Sequence, residues 1–112
     1  MSQTPDPDQI RSVVKRLRAK AATESVRLTQ HAQREMVEES ITLDEVLEAI
    51  SNGQILEDYP AHRRGPCCLL YGLTQASRHL HIVCTTAQPQ LIIITVYEPR
   101  PPKWPSPTRR SR

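Results

Sequence analysis

The sequence predicts an α+β fold, with N-terminal helices packed on one face of a mostly antiparallel sheet of about four strands. Three observations carry this. Apolar residues recur at helical spacing as far as Ile50, and at strand spacing from Gln54 onward. The stretch Leu80–Tyr97, LHIVCTTAQPQLIIITVY, reads as two Val-, Ile- and Thr-rich runs around Ala87-Gln88-Pro89-Gln90. The later runs are joined by short turns, which suits antiparallel neighbours.

Taken in order, Asp6-Pro7-Asp8-Gln9 supplies an N-cap and a proline at the first helical position. Ile10, Val13, Val14 and Leu17 then share one side of a basic amphipathic helix ending by residue 24. Ser25 to Thr29 is short and extended, an edge strand or a connector. A second helix is expected from Gln30 to Glu39 with Ala32 and Met36 inward. Thr42-Leu43-Asp44-Glu45 is a capping box for a third, and Asn52-Gly53 ends it. Gln54–Tyr59 and Cys67–Gly72 are the first two strands of the later group, separated by a loop carrying Arg63, Arg64 and Gly65. Leu91–Tyr97 is apolar at nearly every position and is expected to be central, covered on both faces. After it come five prolines, at 99, 101, 102, 105 and 107, which predict a semi-extended basic tail over 99–112. The chain therefore divides into a basic helix at 1–24, a compact unit at 25–98 and that tail.

With 112 residues and no Phe, Leu, Ile and Val must fill one modest core. No apolar run is long enough to cross a bilayer, and a cytoplasmic location is expected. Three cysteines, two of them adjacent, make a poor disulfide framework and predict reduced, partly buried thiols. The net charge of +3 is uneven: residues 25–98 carry five arginines against nine acids, while residues 99–112 carry five basic side chains and no acid. Positive charge at the ends permits a nucleic-acid surface without forcing one.

Strand alternation sorts side chains into two sets. Cys68, Leu70, Leu80, Ile82, Cys84, Ile92, Ile94 and Val96 are expected to face the helices. Cys67, Leu69, Tyr71, His81, Val83, Thr85, Thr95 and Tyr97 are expected on an open face, where two tyrosines and a histidine suit binding or deprotonating a hydroxyl. His31 and Glu35, one helical turn apart, have the spacing of a surface ion pair or of an oriented imidazole. Arg63 and Arg64, beside His62, form a small basic loop cluster. Cys67, Cys68, Cys84, His79 and His81 are metal-ligand types, but no CxxC or HxxxH spacing accompanies them, and no metal or other cofactor is expected. There is no glycine-rich phosphate loop and no GxSxG.

From Leu28 to Trp104 the pieces HAQREMVEESIT, NGQILEDYP, RRGPCCLLYG, HLHIVCTT and LIIITVYEPRPPKW together resemble the small bacterial domain-of-unknown-function family DUF4258. Many relatives have Arg four and eight residues after the helix histidine, where this chain has Glu35 and Glu39. That family is similar to the RelE- and BrnT-like toxins of type II toxin–antitoxin systems. The resemblance implies a RelE-like fold, a zinc-finger antitoxin as protein partner, and a metal-independent endoribonuclease acting on RNA. In it the ribose 2′-hydroxyl attacks the adjacent phosphate. His81 or His31, the latter with Glu35, is the base or acid, Arg64 stabilises the charged phosphorane, and Tyr97 positions or protonates the leaving oxygen. Arg63, Tyr71, Thr85 and Thr95 are the matching substrate-binding residues. The rival expectation is a non-catalytic protein- or nucleic-acid-binding module whose basic ends make the contacts.

Overall fold

The computed structural model describes residues 7–23 and 25–111. It is α+β, with three helices and a five-stranded mixed sheet. The elements are α1 (Pro7–Ala22), β1 (Val26–Leu28), α2 (Gln30–Glu38), α3 (Leu43–Ser51), β2 (Gln54–Tyr59), β3 (Cys67–Leu73), β4 (His79–Thr85) and β5 (Leu91–Tyr97). The sheet order is β1-β5-β4-β3-β2. The fifth strand is β1, the short extended stretch, which pairs parallel with β5 from Val26 opposite Leu91 to Leu28 opposite Ile93. The other neighbours are antiparallel. The N-cap expected at Asp6 lies outside the described residues.

Local chemistry sets the helix ends. The Thr29 hydroxyl accepts from the Ala32 amide at 3.1 Å and donates to the Ile94 carbonyl at 3.0 Å, so one side chain both caps α2 and ties it to β5. Thr42 and Glu45 form the reciprocal capping box of α3, at 3.0 and 3.1 Å. Leu17 and Ala21 of α1, Ala32 and Met36 of α2, and Val46, Ala49 and Ile50 of α3 bury against Cys68, Leu70, Leu80, Ile82, Cys84, Leu91, Ile93 and Val96. At Gly72 of β3 a Cβ would lie 2.0 Å from the Ala49 carbonyl oxygen, so α3 lies directly on the strand backbone.

Two expectations are corrected. Ile92 and Ile94 do not join the helix-side core; Leu91 and Ile93 do. Val83 pairs with Thr95 but Cys84 pairs with Ile93, so Ile94 is the extra residue of a β-bulge. The bulge inverts the alternation over the first half of β5, and the Thr85 hydroxyl accepts the Ile92 amide at 3.1 Å beside it. The second correction concerns the last segment. Residues 100–111 fold back as a strap over the outer sheet face, held by Trp104 N–H to the Arg100 carbonyl (3.0 Å) and Ser111 N–H to the Lys103 carbonyl (2.7 Å). Trp104, 2% exposed, is its anchor, and Cys67, Leu69, His81 and Thr85 beneath are buried as well. Proline denies the segment a ladder position but not a packed one: a single indole buries enough apolar surface to hold it.

Three cations of α1 reach backbone carbonyls outside the helix. Arg16 donates to Thr86 and Arg18 to Gly53, each at 3.1 Å, and Lys20 donates to Gln88. At the opposite end, Arg78 links Glu45 and Glu98 and donates to the carbonyls of Glu39 and Ser40, just past the end of α2.

Candidate functional site

The outer sheet face holds the densest polar chemistry. His81 on β4 stands between Tyr71 on β3 and Tyr97 on β5, its register partners. Strand alternation alone puts these three on one face, because cross-strand partners share a side. His81 is fully buried. Its Nε2 lies 2.5 Å from the Pro107 carbonyl of the strap and its Nδ1 3.1 Å from the Tyr97 hydroxyl. A carbonyl only accepts, so Nε2 carries the proton and the Tyr97 hydroxyl donates to Nδ1. Burial lowers the imidazole pKa against the opposing pull of the Pro107 carbonyl and Glu57, which favours this neutral tautomer. Burial likewise raises the Tyr97 hydroxyl.

Sequence reasoning missed the rest of the cluster. Glu57 on β2 takes a bidentate pair from Arg110 of the strap, at 2.8 and 2.7 Å, and accepts from the Tyr59 hydroxyl. The Arg110 bonds hold the Glu57 carboxyl below its ordinary value. Tyr59 is pushed up by burial and by the carboxylate it bonds. The Arg110 guanidinium also lies 4.7 Å from the Trp104 ring centroid, a cation–π contact. The Tyr71 hydroxyl meets His79 Nδ1 at 2.7 Å. Two signals existed: Glu57 and Tyr59 are two apart on one strand face, and Trp104 is the one large apolar side chain in residues 99–112.

The remaining candidates lie elsewhere. His31 is exposed and pairs with Glu35 at 3.2 Å. The Glu35 carboxylate also accepts the Val96 amide at 3.0 Å, and Glu39 accepts the Glu98 amide at 3.1 Å. Here α2 covers the part of the β5 edge that three-residue β1 does not reach, and two carboxylates stand in for a strand partner. Burial raises the Glu35 pKa, opposed by the Val96 bond and by His31. Glu39 further pairs with Arg100 at 2.7 Å. Arg64 lines a groove with Arg27, Leu28, Thr29, Gln30 and Ile92, and Arg63 is exposed on the same loop. Thr85 is buried on the amide of Ile92, and Thr95 is half-buried. The structure thus joins His81, Tyr97 and Tyr71 and keeps His31, Glu35 and Arg64 in two other places.

Among the described residues no group of three or more His, Cys, Asp or Glu is arranged to hold a metal ion. Alternation is the reason for the cysteines and histidines: Cys68 and Cys84 face the helices, while Cys67 and His81 face the strap. All three cysteines are free and buried. No helix among those residues is long and apolar enough to cross a membrane.

No curated protein and no solved structure matches the chain. A family model does, over residues 28–98, and it bears the description "Domain of unknown function (DUF4258)". That span runs from the end of β1 through β5 and stops before the strap. The chain belongs to this DUF4258 family of domains of unknown function.

Proposed function

We propose that the chain is a toxin-like, RelE-like metal-independent endoribonuclease acting from its outer sheet face, with strap 100–111 covering the site. The supporting observation is the direction of His81: its Nε2 points away from Tyr97 onto the Pro107 carbonyl, where a substrate oxygen would sit once the strap lifts. With that carbonyl gone, the ring takes the other tautomer, Nδ1–H donating to the Tyr97 oxygen. Nε2 then offers a lone pair to a ribose 2′-hydroxyl. That oxygen attacks the adjacent phosphorus and the bond to the 5′-oxygen breaks. Tyr97, a phenol that carries its proton at neutral pH, returns a proton to the departing oxygen. Removing Arg110 also frees the Glu57 carboxylate, which then favours the imidazolium formed at His81. A zinc-finger antitoxin is the partner this reading implies, binding the same face in place of the strap.

The test compares the full chain with a variant ending at Pro99, on end-labelled single-stranded RNA with chelator present. Cleavage by the truncated chain, leaving 2′,3′-cyclic phosphate ends and lost in His81→Ala, is the expected result. A folded truncated chain that leaves RNA intact overturns the reading. The complete burial of His81 favours a second reading, a non-catalytic binding module in which this polar face is a second core. On that reading the truncated chain unfolds or binds without cutting.

A further inference from the structure

We infer that the groove between β1 and the β2–β3 loop, with Arg27 and Arg64 in its walls, binds a phosphodiester group of an RNA backbone. The groove encloses about 320 Å³ and is lined by Arg27, Leu28, Thr29, Gln30, Arg64 and Ile92. No carboxylate is among these residues. The two arginines are 37 positions apart in the chain and share this groove because β1 docks beside β5, while the Gln88 side chain in the turn before β5 donates to the Arg64 carbonyl at 3.3 Å.

The arginines with partners divide into two groups. Arg11, Arg78, Arg100 and Arg110 pair with carboxylates, and Arg16 and Arg18 donate to backbone carbonyls. Among the described residues Arg27, Arg34, Arg63, Arg64 and Arg109 have neither kind of partner, and two of these five, Arg27 and Arg64, line this one groove. Two exposed guanidiniums lining one groove can both donate to the non-bridging oxygens of a phosphate. Two more arginines extend the cationic surface: Arg63 beside Arg64, and Arg34 one turn beyond Gln30 on the same α2 face. A track of several cations fits a repeating polyanion better than one isolated phosphate.

Arg27 and Ile92 stand opposite each other in the register and lie on the strap side of the sheet, as His81 does. Thr85, whose hydroxyl accepts the Ile92 amide, is four positions along β4 from His81, roughly 13 Å of strand. The groove is therefore a flanking-phosphate subsite, separate from the position Nε2 faces. That the polymer is RNA rests on the ribonuclease reading; that it is a phosphodiester rests on the groove alone.

The experiment measures anisotropy of a short fluorescein-labelled single-stranded RNA with the full chain over a range of salt. Arg27→Gln with Arg64→Gln is expected to weaken binding tenfold or more and to flatten the salt dependence by about 1.4 in the log–log slope, about 0.7 for each lost contact. Arg11→Gln, which breaks an exposed pair with Asp8, is the control expected to bind as wild type does. Both groove arginines are exposed, so a circular dichroism spectrum matching wild type is expected for the double variant. Unchanged affinity and slope in that variant overturn the proposal, whether or not the chain cleaves RNA. Full displacement of the RNA by inorganic phosphate at matched ionic strength also overturns it, since that marks a simple anion site. Retained, arginine-dependent binding by a truncated chain that cuts nothing sinks the ribonuclease reading and leaves the phosphodiester groove standing.

Discussion

The indole of Trp104 stands edge-on to the imidazole of His81, with ring centroids 4.3 Å apart and planes at 88°. This contact makes the strap a second layer of the fold. Removing the indole opens a cavity against His81 and strips the surface on which Arg110 rests. Trp104→Ala is expected to cost about 3–5 kcal/mol in urea unfolding, the usual range for deleting a buried aromatic. Trp104→Phe is expected to cost clearly less, because a phenyl ring keeps most of the buried aromatic surface against His81. Wild-type stability in Trp104→Ala would show that the strap contributes nothing.

Stability is expected to fall on mild acidification because of His81. Its folded pKa is lowered from 6.5. Between that lowered value and 6.5 the unfolded chain binds the extra proton and the folded chain does not. The contribution is therefore complete above 6.5, declines as pH drops through the window, and is gone below the folded value. Glu35 has the opposite sign: its folded pKa is raised from 4.5, so from 4.5 up to that raised value stability falls as pH rises. Comparison with His81→Gln separates the two. The melting temperature should drop further between pH 7.5 and pH 5.5 in wild type than in the variant, and equal drops would refute the assignment.

Glu35 is expected to matter as a backbone acceptor first. In Glu35→Ala the Val96 amide loses its partner at a half-covered edge, which costs about 1–3 kcal/mol. Glu35→Gln keeps an acceptor oxygen and should recover most of that. Amide exchange at Val96, read by NMR, is the direct measure: faster in the alanine variant, near wild type in the glutamine variant. Wild-type protection in Glu35→Ala would mean another group serves that amide.

Gly72→Ala is expected to be among the most damaging single changes in the chain. The added methyl would meet the Ala49 carbonyl carbon at 2.5 Å as well as its oxygen, and both are backbone atoms with no rotamer to escape into. Either α3 lifts from the sheet or β3 bends, at about 3 kcal/mol or more, the upper end for an overpacked core. A thermal melt within a degree of wild type would show that α3 is not pinned there.

The elements themselves were legible in the sequence because their signals are local. Thr29 and Thr42 start helices through bonds to residues three positions on, and alternation from Cys67 to Thr85 sorts side chains by face in whichever sheet the strands join. The residues proposed for catalysis were legible only as types. Tertiary structure decided what no local period encodes: the bulge at Ile94 that inverts half of β5, the parallel docking of β1 that sets Arg27 and Arg64 in one groove, and the use of Glu35 and Glu39 as edge acceptors. Above all it decided the outer face. Five prolines in the last fourteen residues forbid regular hydrogen bonding, which reads locally as a free tail. Burial needs no regular hydrogen bonding, only an apolar group and a surface shaped to take it, and Trp104 finds that surface on His81.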